Sequence, residues 1–282
     1  MNNHQYYFMI QQFTLFSDFF VYEVFSRSKP AITLLARILT GKPDLVVKRW
    51  GMEVKKGLPF FRHVRYDLFV EDMEGNLYNF EIENGRRALG QRALFNLSVL
   101  VSHMLKPNEP FRALNESWVV FLTRKDFMRR NEPFYTYEWF DRKWKRILHT
   151  KAHIRFVNGE YRGDDAIGKL MHDFHCTNPD DMFYDELREA VSYFKKEPKG
   201  VNAMCEIMRE FERKSKNEGR REGRAEGRAQ GRAEGRAEGR AQERESIMRN
   251  LREEGMSYEK IARITNQSLS QVRSFFKMKQ PA

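Results

Sequence analysis

The amino-acid sequence predicts an α/β fold followed by a helical C-terminal extension. Three observations predict it. A helical segment near the N-terminus precedes three strand-like segments, a buried helix and a strongly apolar strand come next, and a charged tetrapeptide repeat separates them from a short helical tail. The core, about residues 15–125, therefore has the predicted order helix, three strands, helix, strand, or αβββαβ.

The first helical segment contains a break. Ser17 or Asp18 can cap a helix, because both residue types accept hydrogen bonds from the first turn. Pro30 interrupts the pattern, and apolar helical spacing resumes from Ala31 to Leu39 before Gly41 ends it. We therefore expect a broken helical layer on one side of the strands.

Three strands and a buried helix form the centre of the prediction. The strand-like segments are Leu45–Trp50, Val64–Val70 and Leu77–Glu83, and the last two form a hairpin. Arg87–Leu105 has the length and apolar content of a buried helix. Trp118–Thr123 is apolar and β-branched, which is typical of a central strand.

Residues 126–211 are predicted as an accessory layer that completes a domain spanning residues 1–211. Asn158-Gly159 indicates a turn between two short strands. Two further segments, 164–171 and 181–194, have helical patterns. The hydrophobic fraction of the chain, 41%, is sufficient to bury a core of this size.

Residues 212–242 carry the charged repeat. Six near-copies of Gly-Arg-Ala-Glu fill residues 219–242. On a helix this period stacks like charges at i,i+4, and each Gly costs about 0.8 to 1 kcal/mol relative to Ala. The segment is predicted as a charged linker or frayed helix, with a tethering basic arm as the alternative.

The C-terminal residues, 243–282, predict a small helix-turn-helix of three short helices. The third would be a recognition helix that offers polar side chains to DNA: Gln271, Arg273, Ser274 and Lys277. Such a motif can equally mediate homo-oligomerisation, so both interpretations stay open.

Composition restricts the classes of protein that remain. Lys and Arg number 50 against 39 Asp and Glu, and the net charge of +11 suits a polyanion such as double-stranded DNA. We expect no signal peptide in Met1–Phe25 and no membrane-spanning helix. Two cysteines give no disulfide framework or thiolate zinc cluster, and the cytoplasm is the expected compartment.

Three carboxylates on the predicted hairpin are the candidate site. Side chains alternate along a strand, so Asn79, Glu81 and Glu83 share one face. On the preceding strand, Asp67 is predicted on the face opposite to a set of apolar residues. Hairpin pairing can bring Asp67 beside Glu81. The apolar set is Val64, Tyr66, Leu68 and Val70.

Carboxylates gathered on one patch of sheet repel one another, and a divalent cation is the simplest remedy. Oxygen ligands suit Mg²⁺ or Mn²⁺, which can also hold a substrate phosphate, so phosphodiester hydrolysis is the chemistry that this site indicates. The alternative is that these acids form a solvated hairpin face.

Several short motifs, in this order, resemble the PD-(D/E)XK nuclease family transposases, also called recombination-promoting nucleases. The motifs are Asp18-Phe19-Phe20 with Val24-Phe25, Arg65-Tyr66-Asp67, Tyr78 to Glu83, Gln91-Arg92-Ala93 and Phe121 to Asp126. The resemblance covers nearly the whole chain, including the charged repeat and the helical tail. It implies a restriction-endonuclease-like core with a mixed central sheet flanked by helices, and magnesium-dependent cleavage of double-stranded DNA.

The resemblance also assigns residues. Asp67 and Glu81 match the metal-binding acids, and the carbonyl of Ile82 is a further metal ligand. Glu83, the third catalytic candidate, stands where the superfamily has lysine and this family usually has glutamine. Arg92 matches an arginine that can reach a phosphate. Asp18 and Glu23 lie on the helix from which related nucleases sometimes supply another acid, although capping accounts for Asp18 more simply.

Two functional hypotheses follow. The first is a metal-dependent DNA endonuclease centred on Asp67, Glu81 and Glu83. The alternative is a catalytically inactive DNA-binding or interaction protein that retains the nuclease fold, and Glu83 is the residue that favours it.

Overall fold

A six-stranded mixed sheet organises the N-terminal part of the chain in the computed structural model, which describes residues 3–57, 63–85 and 87–277. Two units are distinguished, Met1–Met208 and Arg209–Ala282. The helices are α1 (Asn3–Gln12), α2 (Asp18–Arg27), α3 (Lys29–Thr40), α4 (Leu89–Ser102), α5 (Ala166–His175), α6 (Asp185–Lys195), α7 (Pro198–Glu253), α8 (Tyr258–Thr265) and α9 (Leu269–Lys277). The strands are β1 (Val47–Lys56), β2 (Val64–Asp72), β3 (Leu77–Glu83), β4 (Ser117–Thr123), β5 (Phe134–Tyr137), β6 (Phe140–Asp141), β7 (Arg146–Ile147) and β8 (Ala152–Asn158).

The strand order in the large sheet is β1-β2-β3-β4-β8-β5. The first three strands pair antiparallel, whereas β4 is parallel to both β3 and β8, and β5 returns antiparallel to β8. Helix α4 connects β3 to its parallel neighbour β4, as a parallel pair requires. The predicted α/β class with helices beside a mixed sheet is confirmed, and so is the helical C-terminal region.

Each face of the sheet has its own apolar core. One face packs against α2, α3, α5 and α6 and buries aromatic residues such as Phe20, Tyr78 and Phe174. The other face packs against α4, where Ala93 and Leu97 meet residues of the central strands. Both faces of β4 are buried, which explains its uninterrupted apolar sequence.

The element predictions differ from the structure mainly in extent. The first helical layer breaks at Ser28, whose side chain accepts a hydrogen bond from Ala31 N and caps α3. Ser17 occupies the N-cap position of α2 without a side-chain capping bond. Gly41 ends α3 in the left-handed conformation. Helix α1 was not predicted, and β1 runs to Lys56 instead of ending at Trp50.

Residues 126–211 contribute strands to the sheet itself. Strand β8 pairs along its whole length with β4, and β5 adds the edge strand beyond it. The prediction of a hairpin turn at Asn158-Gly159 is wrong, because β8 ends there and α5 is the next helix or strand. Gly159 donates to Thr123 O over 2.8 Å, and a Cβ there would lie 2.5 Å from that oxygen. Close backbone approach therefore explains this glycine.

The predicted apolar face of β2 is also wrong. Tyr66 packs in the core under α4, whereas Leu68, two residues later, packs in the opposite core. Register pairs Val54 with Tyr66 and Met52 with Leu68, and Glu53 between them has φ +51°. This left-handed residue interrupts the alternation, so side chains on either side of it face opposite ways.

The charged repeat is helical. Residues 212–242 lie within α7, and the side chains of residues 219–240 are exposed. Ala, Arg, Glu and Gln are strong helix formers, and they offset the cost of the repeated glycines. The predicted charged linker or frayed helix is thus part of one continuous helix.

The C-terminal unit has a small core of its own. The last turns of α7 pack with α8 and α9 through Met248, Ile261, Ala262 and Val272. The Ser257 side chain caps α8 by accepting a hydrogen bond from Lys260 N. The first of the three predicted short helices is the end of α7. In residues 3–57, 63–85 and 87–277, every helix is too short or too polar to cross a bilayer.

Candidate metal centre

Asp67 and Glu81 lie where β2 and β3 begin to separate. The β2–β3 ladder ends with the pair Leu68 and Phe80, and the two acids are the next residues beyond that pair. Beyond that pair, a side chain takes the place of a backbone acceptor. Asp67 Oδ2 accepts a hydrogen bond from Ile82 N over 3.1 Å. The hairpin therefore brings the two predicted metal-binding acids next to each other.

Glu81 is buried within the sheet, with 3% of its surface exposed. Its Oε1 accepts a hydrogen bond of 2.9 Å from Asn79 Nδ2, which confirms that these residues share one face of β3. Asn79 is fully buried, and its Oδ1 has no hydrogen-bond partner among the described residues. An unpaired buried acceptor is costly, so this corner of the site is polar but incompletely satisfied.

Burial and mutual repulsion both disfavour charge on the two acids. Burial raises the pKa of Glu81 to about 8, and the nearby Asp67 carboxylate adds to the rise. Burial likewise raises the pKa of Asp67, although the Ile82 N–H and the cations Arg65 and Arg92 oppose the shift. At neutral pH the pair therefore retains a proton unless further positive charge arrives.

Arg92 supplies part of that charge. This residue of α4 lies 3.4 Å from Glu81 Oε2 and forms a short ion pair with Glu83. Its guanidinium also lies 5.3 Å from the centre of the Phe121 ring. The side chain is 43% exposed, so Arg92 reaches both acids from the edge of a groove and is not simply a solvated helix residue.

Glu83 is held by neighbours within the chain. Its Oε1 accepts a hydrogen bond of 2.7 Å from Gly85 N, and its Oε2 pairs with Arg92. Both carboxylate oxygens are thus engaged. Glu83 lies on the same face as Glu81, as predicted, but its charge is compensated locally.

Asp18 also belongs to this region. It is the first residue of α2, and its carboxylate accepts a hydrogen bond of 2.9 Å from Asn84 Nδ2 instead of capping the helix. Its charge raises the pKa of Asp67, which places the two within electrostatic range. The sequence explained Asp18 more simply as a helix cap. Its proximity to Asp67 follows only from the packing of α2 against the sheet. Glu23 pairs with Arg27 over 3.6 Å.

Two openings approach the acids. Asp67 and Asp18 line a cleft of about 110 Å³ that also contacts Met52, Glu53 and Ile82. Glu81 lines a larger groove of about 690 Å³ on the α4 side. Arg65 borders both openings. The larger groove also holds the cations Arg87 and Arg92, and so suits an anionic ligand.

The donor set fits a hard divalent cation. Asp67 and Glu81 offer carboxylate oxygens, and their raised pKa values show that added positive charge would stabilise them. Among the described residues, no thiol or imidazole lines the cleft beside Asp67, and His63 is the imidazole that lines the groove beside Glu81. Oxygen ligands of this kind select Mg²⁺ or Mn²⁺ over softer metals.

A second group of donors has a structural explanation. Atoms of His172, Asp173 and Cys176 lie within 4.8 Å of one another. Asp173 is fully buried and accepts hydrogen bonds from Phe183 N and Tyr184 N. Burial, with Asp173 nearby, raises the pKa of the Cys176 thiol to about 11, so the thiol stays protonated. His172 is half-buried.

The predicted DNA-contacting residues of α9 lie on its exposed side. Gln271 Oε1 accepts hydrogen bonds from Ser268 N and Oγ, and Arg273 pairs with Glu259 over 3.2 Å. Lys277 is exposed at the end of the helix. Gln271 therefore helps to cap α9, whereas the other two present positive charge.

Comparisons of the chain with family models, with curated proteins and with solved structures found no match.

Proposed function

We propose that this protein is a metal-dependent DNA endonuclease with a restriction-endonuclease-like core. The observation that carries the proposal is the buried pair Asp67 and Glu81, held side by side on antiparallel strands with raised pKa values. The αβββαβ order, with β4 parallel to β3 across α4, supports the fold assignment.

Asp67, Glu81 and the Ile82 carbonyl would hold Mg²⁺ or Mn²⁺, which would polarise a phosphodiester and lower the pKa of an attacking water. The chain's own residues prepare this site. The Ile82 N–H fixes the Asp67 carboxylate, and the Asn79 amide fixes Glu81. Arg92 limits repulsion between the acids until a cation binds.

Double-stranded DNA is the proposed substrate. The groove beside Glu81 carries Arg65, Arg87 and Arg92, which can contact phosphates along a backbone. The exposed Arg273 and Lys277 on α9 would add contacts from the C-terminal unit. We also propose a cytoplasmic location and homo-oligomerisation through that unit.

A plasmid assay tests the nuclease. Purified protein is incubated with supercoiled plasmid and Mg²⁺, Mn²⁺ or chelator, and nicked and linear products are followed on a gel. We expect metal-dependent cutting that Glu81→Ala and the isosteric Glu81→Gln both abolish. Glu189→Gln makes the same chemical change on the exposed side of α6 and should cut like the wild type.

One observation favours the second candidate, a catalytically inactive DNA-binding protein. Arg92 and Gly85 engage both oxygens of Glu83, so that carboxylate is not available to accept a proton from water. Asp67→Ala separates the two functions. If the protein is an enzyme, this variant loses cutting but keeps DNA binding in chelator. If the wild type cuts with none of the metals, and wild type and variant bind DNA equally well, the result supports the alternative.

A further inference from the structure

A small β-ribbon projects aromatic and basic side chains together, and the candidate nuclease site does not use it. The aromatic ribbon, residues 139–148, consists of β6 and β7 with the turn between them. Phe140 pairs with Ile147 and Asp141 with Arg146. A hydrogen bond of 2.8 Å from Leu148 N to the carbonyl of residue 139 extends the ribbon.

The tip of the ribbon has a defined conformation. Asp141 Oδ1 accepts hydrogen bonds from Lys143 N over 2.8 Å and from Trp144 N over 2.9 Å. Lys145 then adopts φ +55°, which completes the turn. The side chains at the tip are therefore carried on a fixed backbone.

Three aromatic rings of the ribbon face solvent. Trp139 is 49% exposed, Phe140 52% and Trp144 68%. Large aromatic residues usually bury most of their surface, and contiguous exposed apolar surface marks an interaction site. The ribbon thus exposes apolar surface that no described part of the chain covers.

Cations lie beside these rings. Arg142, Lys143, Lys145 and Arg146 surround the tip, and within the described residues none of the four forms an ion pair. The Lys143 ammonium lies 5.1 Å from the centre of the Trp144 ring, and that of Lys145 lies 5.8 Å from the Phe140 ring. Asp141 is the one acid among residues 139–148, and its carboxylate is used in the turn.

We propose that the aromatic ribbon binds single-stranded nucleic acid. Exposed rings stack on bases of any sequence, and neighbouring cations neutralise the phosphates between them. Base faces are accessible only where a strand is unpaired, so the rings favour single strands over duplex. The ribbon places cations beside its rings, as a strand places phosphates beside its bases.

The charge at the tip argues against a membrane as the occupant. Insertion would bury the tip first, and there four cations surround Trp144. Burying charged groups in hydrocarbon is costly. A second copy of the chain would have to place the same four cations against each other, which like-charge repulsion opposes.

The test uses the full-length protein in chelator, so that cleavage plays no part and the result does not depend on the proposed nuclease. Fluorescence anisotropy with a labelled 12-nucleotide oligo-dT measures binding, with a duplex of equal length and anionic vesicles as competitors. Trp144→Ala should weaken oligo-dT binding about tenfold, because stacking on one ring contributes about that factor. Trp144→Phe keeps a ring and should recover most of it.

Two further variants sharpen the result. Lys143→Ala with Lys145→Ala should weaken binding and reduce its dependence on salt. Phe111→Ala removes an aromatic ring that is 85% exposed elsewhere on the same unit and should bind like the wild type. Equal affinity of wild type and Trp144→Ala for oligo-dT, an equal loss of duplex and oligo-dT binding in Trp144→Ala, or displacement by vesicles alone would overturn the proposal.

Discussion

The two ends of the β2–β3 hairpin both bury carboxylates, yet they treat them differently. At the turn, Asp72 is 3% exposed and accepts four hydrogen bonds. They come from Glu74 N, Asn76 N, Asn76 Nδ2 and the Tyr78 hydroxyl, over 2.7 to 3.0 Å. Its neighbour Glu71 is also buried, but ion pairs with Lys48 and Arg49 outweigh burial and lower its pKa.

The open end lacks this compensation. Glu81 is as buried as Asp72, but its partners are one amide, the backbone N–H of Asp67 and a guanidinium at 3.4 Å, while the Asp67 carboxylate repels it. Asn79 adds an oxygen that no described residue pairs with. One end of the hairpin thus uses acids to fix a turn, and the other leaves acids that a cation would stabilise.

The largest effect on stability is expected at the turn. Asp72→Asn keeps the shape of the side chain but replaces one acceptor oxygen with a donor that faces other donors. We expect the free energy of unfolding to fall by about 3 kcal/mol, because buried donors lose their acceptor. Urea denaturation measures this. Asp44→Asn is the exposed control, and an unchanged midpoint for Asp72→Asn would remove the contrast between the two ends.

The next effect concerns pH at the open end. Glu81 has a folded pKa of about 8 against an ordinary value of 4.5, so between these values the folded state binds the extra proton. The stability that the protonated Glu81 side chain contributes is fully present below pH 4.5 and is lost as pH rises through 8. Between pH 5 and 8 we expect wild type to lose on the order of 2 kcal/mol relative to Glu81→Gln.

Urea midpoints across that pH range check this expectation. Glu189→Gln should follow the wild-type pH dependence, since Glu189 is exposed on α6. Parallel curves for wild type and Glu81→Gln would mean that Glu81 ionises normally in the folded protein.

A smaller effect should come from metal ions. At pH 7.5, about 10 mM Mg²⁺ should raise the free energy of unfolding by about 1 kcal/mol, as expected for a ligand with a dissociation constant near 1 mM. The increase should shrink at pH 6, where the cation competes with the proton on Glu81. Asp67→Asn should abolish it, with NaCl at matched ionic strength as the control. Equal stabilisation of that variant would place the cation elsewhere.

The smallest effect is expected at Arg92. Its side chain is partly exposed, so Arg92→Gln should cost less than about 1 kcal/mol of stability. Loss of the cation should nevertheless raise the pKa of Glu81 further and move the pH dependence upward. Arg87→Gln changes an exposed arginine of the same groove and serves as the control. Identical pH profiles for the two variants would show that Arg92 does not act on Glu81.

Local pattern was sufficient for much of the fold. The predicted bounds of β3 coincide with those observed, because alternation on β3 is a property of the nearby sequence. The hairpin also placed Asp67 beside Glu81 correctly. These features depend on neighbours within about 15 residues, which a sequence displays directly.

Other features depended on distant contacts. Asn158-Gly159 has the composition of a hairpin turn, but the approach of Gly159 to Thr123 at the end of a parallel strand uses it differently. The change of faces along β2, between Tyr66 and Leu68 and opposite Glu53 of β1, has no recognisable signal in the sequence. Neither the proximity of Asp18 to Asp67 nor the pairing of Arg92 with Glu83 has a local signature.

The sequence by itself determined the α/β class, the order of the central elements and the gathering of acids on one hairpin, since each follows from periodicity over a few residues. Only the tertiary structure decided which acids are compensated. Burial, repulsion and ion pairing depend on what packs over the sheet, and α2 and α4 bring Asp18 and Arg92 to the open end from outside the hairpin.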